Sequence, residues 1–138
     1  MAHYDDELLR GALHAIERRD ATWLVEHCTP DVVIVQPPEV PDSKSYEGAE
    51  GAAEAMVDWP PLWEDLTIEL LEVVGSDEQV AVGATRHRAR GLGSGIEMDF
   101  EVFYVYRTVG GKFSRVEMYF GREQALAAAS GWEGSFPR

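Results

Sequence analysis

Hydrophobic and polar positions divide the 138-residue chain into helical and extended stretches. Between residues 5 and 19, Leu8, Leu9, Ala12, Leu13 and Ile16 recur at spacings of three and four. That period predicts a helix with one buried stripe. Asp5, Asp6 and Glu7 suit its N-terminus, where partial positive charge collects. Asp20 is placed to cap a second short helix over ATWLVEHC, and Pro30 helps stop it. The β-branched run VVIVQ, 32–36, reads as a strand. PPEVPDSKSYEG holds three of the seven prolines and reads as an irregular loop with Tyr46 near its end. AEGAAEAMVDW is a third helix, halted by Pro60 and Pro61. Four strands follow, over 64–74, 79–90, 96–107 and 113–121, joined by the hairpin signals GSDE, GLGSG and TVGGK. REQALAAAS closes as a helix, and GWEGSFPR has no assigned order.

Helices first and then a run of antiparallel strands define an α+β class. One hairpin run must cover three helices, so the expected packing is a strongly curved sheet wrapped over the N-terminal helices. No linker splits the chain, so 1–138 is expected to be a single domain. A hydrophobic content of 45% fits a globular protein. No apolar run approaches the ~20 residues that cross a bilayer. The opening MAHYDDELLRGALHAIERRD lacks a signal-peptide pattern. The expected location is the cytoplasm. A net charge of −13 argues against nucleic acid and anionic membrane as partners. The single cysteine, Cys28, excludes an internal disulfide and a multi-cysteine metal site, and reads as a small buried filler.

Several segments together carry a family resemblance: RRDATWLVEHCTPDVVIVQP, YEGAEGAAEAM, GSG between the middle strands, and GGKFSRVEMYFGREQAL. In order and spacing the chain resembles the nuclear transport factor 2-like superfamily, and within it the SnoaL-like group. The resemblance implies a cone-shaped, mostly antiparallel sheet enclosing a pocket, with homodimerisation across the sheet's outer side. It does not imply one activity, because the superfamily includes isomerases, cyclases, epoxide hydrolases, dehydratases and non-enzymatic binders. Ketosteroid isomerases place a carboxylate base at the end of the first strand, where this chain has Gln36, an amide that takes no proton at neutral pH. Their two oxyanion donors fall near Ala12 and Phe103. Limonene-type epoxide hydrolases need an Asp–Arg–Asp set; Arg86 matches the arginine, but the aspartates fall on Arg88 and Met118. Neither mechanism transfers.

The most distinctive chemistry is a pair of stripes. Arg86, Arg88 and Arg90 alternate on one strand, and Glu97, Asp99 and Glu101 on the next. Residues two apart on a strand share a face. Pairing Gly91 with Ile96 sets Arg88 against Asp99 and Arg86 against Glu101. Two readings follow. In one, the stripes form a solvated face and His87, Phe100, Val102, Tyr104 and Tyr106 face the core. In the other, favoured by the family comparison, the stripes line the pocket mouth with Phe103, Val105, Val116, Met118 and Phe120 deeper. The candidate catalytic set is then Arg86, Arg88, Asp99 and Glu101: a carboxylate as base, an arginine as electrostatic stabiliser. Gln36 and Tyr46 are candidate orienting hydrogen-bonders. Trp59 and Trp63 are a candidate apolar lid, with plain packing as the alternative.

The expected function is a pocket for a small hydrophobic or amphipathic ligand carrying a polar or anionic group. It would serve either cofactor-free acid–base catalysis or ligand binding alone. No cofactor and no metal are expected. In the pocket-mouth reading the opposite face, Phe100, Val102, Tyr104 and Tyr106, would need cover from a second subunit.

Overall fold

The computed structural model describes residues 6–40, 44–58, 60–76 and 80–135. Helix α1 spans Asp6–Arg18 and α2 spans Ala21–Glu26. Strands β1, Cys28–Val35, and β2, Ser45–Glu47, precede helix α3, Gly48–Asp58, and a single 3-10 turn at Pro60–Leu62. Four strands then meander: β3 Trp63–Ser76, β4 Val80–Gly91, β5 Glu97–Val109 and β6 Lys112–Tyr119. Helix α4, Arg122–Ser135, follows. It runs past the nine residues expected to be helical into GWEGSFPR.

Local chemistry explains the boundaries. Arg19 turns left-handed, at φ 58°, and ends α1. Asp20 then caps α2, its side chain accepting from the Trp23 backbone N–H at 3.0 Å. Gly110 and Gly111 both have positive φ, 60° and 78°. That is the geometry a two-residue hairpin between β5 and β6 requires. The three-residue β2 lies inside the stretch expected to be irregular, and it pairs antiparallel with β1.

The sheet order is β2-β1-β6-β5-β4-β3, with β1 parallel to β6 and the other pairings antiparallel. The sheet is curved and unclosed, the cone of nuclear transport factor 2-like folds. Register shifts along β3 at Glu64/Thr67, Leu70/Glu72 and Val74/Ser76 mark bulges, each of which bends and twists a strand.

Each side of the sheet has its own core. On the concave side Leu9, Leu13, Val32, Ile34, Tyr104 and Tyr106 pack with α1–α3. On the convex side Val80, Val82, Ala84, Phe103 and Val105 pack beneath Ala125 and Ala129 of α4. Residues 102–106 of β5 are therefore buried on both faces. Cys28 is buried, and burial pushes its thiol up to about 11, so it sits there as an inert filler. Among the described residues, no helix is long and apolar enough to cross a membrane.

Candidate functional site

A cavity of about 100 Å³ lies between the concave face and the helices. Helix α1 contributes Leu9 and Leu13, β1 Ile34, α3 Met56, and β6 Val116 and Met118. Apart from Gln36, Tyr46, His87, Tyr104 and Tyr106, its wall is aliphatic or aromatic carbon and the thioethers of Met56 and Met118. Among the described residues, no Asp, Glu, Lys or Arg lines it.

Strand parity decides what faces this cavity. His87 is fully buried and lines it, as do Val102, Tyr104 and Tyr106 across the β4–β5 ladder. The pairing register is the expected one, Arg86 opposite Glu101 and Arg88 opposite Asp99, but these residues point to the convex side. Arg86 donates from Nε and Nη2 to the two carboxylate oxygens of Asp99, at 2.8 and 2.7 Å. Arg88 lies 3.8 Å from the same carboxylate, and Arg90 pairs with Asp65. The Arg86 guanidinium holds the Asp99 carboxyl below its usual range. The expected catalytic set of Arg86, Arg88, Asp99 and Glu101 is thus corrected in its placement: it forms part of a solvated outer face. The physical reason is desolvation, since turning this row inward would strip several ions of water beside an apolar wall. Phe103, expected in the pocket, is also corrected. It lies on the convex side beneath α4, and the Arg122 guanidinium stacks 5.4 Å from its ring centroid.

Other expected residues do reach the cavity. Gln36, Tyr46, Val116, Met118 and Phe120 all line it. Trp63 begins β3 and borders a separate polar surface groove with Arg90 and Asp65. Its ring packs 5.9 Å from that of Phe100. Trp59 lies outside the described residues. Ala12 lines the cavity, whereas the second position matched to the isomerase donors, near Phe103, is represented inside by its neighbours Val102 and Tyr104. The Phe100–Tyr106 face expected to need a second subunit is turned inward, which removes that argument for a dimer.

Two polar groupings mark the cavity. In the first, His87 Nε2 and the Tyr104 hydroxyl are 3.2 Å apart, with the His87 ring stacked 5.3 Å from Phe100. Burial lowers the His87 pKa to about 4 and raises that of Tyr104, so both groups are neutral at pH 7. In the second, Gln36 Nε2 donates to the Tyr46 hydroxyl at 3.1 Å, and that hydroxyl donates to Asp58 Oδ2 at 2.8 Å. Lys44 Nζ lies 3.1 Å from Asp58 and 2.9 Å from Glu54. The Tyr46 hydrogen bond, aided by Lys44, holds the Asp58 carboxyl below its usual range. Burial, aided by Asp58, pushes Tyr46 up to about 12. His87, Tyr104 and Asp58 were missing from the expected site. The signal for the first two was the apolar alternation Phe100, Val102, Tyr104, Tyr106, which shares a face with His87. Asp58 meets Tyr46 only through the unexpected strand β2.

The model of the SnoaL-like domain family matches residues 9–116, and the chain belongs to that family. Among curated proteins, none matches it by sequence. Solved structures share the fold at low identity. A putative isomerase from Bacillus subtilis is 18% identical with a TM-score of 0.73, over 91% of this chain and 91% of its own. A hypothetical protein from Catenulispora acidiphila with a ketosteroid isomerase-like fold, in complex with trimethylamine, is 12% identical with a TM-score of 0.72, over 90% and 92%. RV0760c from Mycobacterium tuberculosis, in complex with estradiol-17beta-hemisuccinate, is 15% identical with a TM-score of 0.69, over 84% and 92%.

Proposed function

We propose that this SnoaL-like chain binds a compact, uncharged, largely hydrophobic molecule in the concave cavity. One observation carries the reading: the wall is apolar except for neutral hydrogen-bonding groups. An anionic ligand would lose its hydration there and meet no cation, a cost of several kcal/mol. The anionic group expected of the ligand depended on inward arginines, and that support is gone. The small molecules bound by the Catenulispora acidiphila and Mycobacterium tuberculosis proteins support a ligand-binding use of the shared fold. The test is calorimetric titration with toluene, benzoate and benzylammonium, with the Met118 methyl resonance as a local reporter. Toluene is expected to bind saturably and shift Met118, and the two ions to bind far more weakly. Tighter binding of either ion, or an unmoved Met118 methyl with toluene, would overturn the reading.

A second reading, cofactor-free catalysis, is favoured by the contact between His87 and Tyr104. A neutral imidazole can accept a proton, and a buried phenol can donate a hydrogen bond to developing negative charge. Isomerisation, cyclisation, dehydration and hydrolysis all fall within that chemistry.

A further inference from the structure

We propose that Asp58 is a specificity-determining residue. By holding the Tyr46 hydroxyl proton, it makes this end of the cavity select ligands that bring a hydroxyl or N–H over those that bring only a carbonyl. The inference rests on the ligand-binding reading and narrows the ligand class. A phenol has one proton to give and can accept hydrogen bonds at its oxygen. The Tyr46 proton is directed to Asp58 Oδ2 at 2.8 Å. One of its lone-pair positions takes the Gln36 amide at 3.1 Å. What remains toward a ligand is acceptor capacity.

The surrounding contacts keep this polarity from reversing. The Gln36 amide is oriented by its neighbours on both sides of the loop. Its Oε1 faces the Lys44 backbone N–H at 3.3 Å, and its own backbone N–H reaches the Lys44 carbonyl at 3.2 Å. Lys44 Nζ lies 3.1 Å from Asp58 and 4.9 Å from the centroid of the Tyr46 ring, which favours the ionised carboxylate. An ionised carboxylate takes a phenolic proton in preference to a neutral carbonyl, because charge-assisted hydrogen bonds are roughly twice as strong as neutral ones. A ketone oxygen brought to Tyr46 would face another oxygen with no proton between them. An alcohol or a neutral amide N–H would complete the set.

Asp58 itself stands outside the cavity wall, so it acts through Tyr46. The test compares three probes of one shape, ethylbenzene, 1-phenylethanol and acetophenone, on the full chain, on Asp58→Ala and on Tyr46→Phe. The parent protein is expected to prefer the alcohol to the ketone by about fivefold, the span of one net hydrogen bond. In Asp58→Ala the Tyr46 proton is freed, and the preference is expected to vanish or invert. In Tyr46→Phe it is expected to shrink toward one. Ethylbenzene is expected to bind all three proteins alike, which a general disturbance of folding would not allow. Equal binding of alcohol and ketone by the parent, with ethylbenzene bound, overturns this inference alone. So does a preference unchanged by Asp58→Ala. Failure of all three probes to bind the parent overturns the ligand-binding reading and this inference with it.

Discussion

His87 and Tyr104 meet across the β4–β5 ladder with Nε2 and the hydroxyl 3.2 Å apart, both buried in the concave wall. Burial lowers the imidazole pKa to about 4, against about 6.5 in an unfolded chain. Between these values the unfolded chain binds more protons than the folded one. The stability of the neutral buried imidazole is therefore fully present above the unfolded value and is lost as pH falls toward 4. The loss approaches about 1.4 kcal/mol per pH unit at its steepest. We expect denaturant unfolding at pH 6.5 and pH 5 to show this loss, and His87→Gln to flatten it. Glutamine still offers Tyr104 a partner but does not titrate. The measured window, pH 6.5 to 5, also lies above the ordinary carboxylate value of about 3.9, so Asp58 and Asp99, both held below that value, add little to the slope there. Equal slopes in parent and variant would contradict a buried neutral imidazole.

Arg86 and Asp99 form a bidentate pair on the outer face, with side chains 41% and 50% exposed. Exposed pairs of this kind contribute little, and salt screens them. Arg86→Met is expected to leave toluene binding in the cavity unchanged and to alter unfolding only slightly, the difference shrinking further in high salt. A lost or greatly weakened toluene isotherm would return this arginine to the site.

Why β4 and β5 were legible in position but ambiguous in face follows from their burial. The pairing of Arg86 with Glu101 and of Arg88 with Asp99 could be read from charge complementarity. Facing could not, because residues 102–106 are buried on both sides of the sheet. One side meets the cavity and the other meets α4. A strand covered twice loses the apolar–polar alternation that marks its inner face. The charged stretch 86–90 keeps its alternation, but its hints at the dry side are only His87 and Ala89, each flanked by two arginines and both buried. The helices were clearer, since Leu8, Leu9, Ala12 and Leu13 of α1 are buried on one stripe. The contact of Tyr46 with Asp58 was illegible because it requires three residues of β2 to pair inside a proline-rich loop.

Gly51 sets how closely α3 approaches β2. A Cβ there would lie 2.8 Å from the carbonyl carbon of Tyr46, a backbone atom that cannot swing aside. Gly51→Ala should therefore push α3 and β2 apart, lengthening the contact between Tyr46 and Asp58. The helix-propensity gain of alanine, about 1 kcal/mol, opposes a packing strain of about 1–3 kcal/mol. Net destabilisation is expected in urea unfolding, accompanied by a weaker preference for 1-phenylethanol over acetophenone. An unchanged or raised midpoint with the preference intact would show that the helix accommodates the methyl group.

Helix α4 shields the convex apolar patch formed by Val80, Val82, Phe103 and Val105. Ala125 is fully buried against it, and Arg122 holds the start of the helix through Glu72 at 2.5 Å and through the face of Phe103. A carboxylate placed at position 125 would be buried with no cation designed to meet it, so Ala125→Asp should unseat the helix. The expected cost is about 2–4 kcal/mol. Because the released patch is apolar, the variant should also self-associate at micromolar concentration. Sedimentation velocity reads the association, and toluene titration at low protein concentration reads the cavity. The cavity is on the other side of the sheet, so its binding is expected to survive. A variant no more associated than its parent, with an unchanged unfolding midpoint, would mean that α4 does not guard this face.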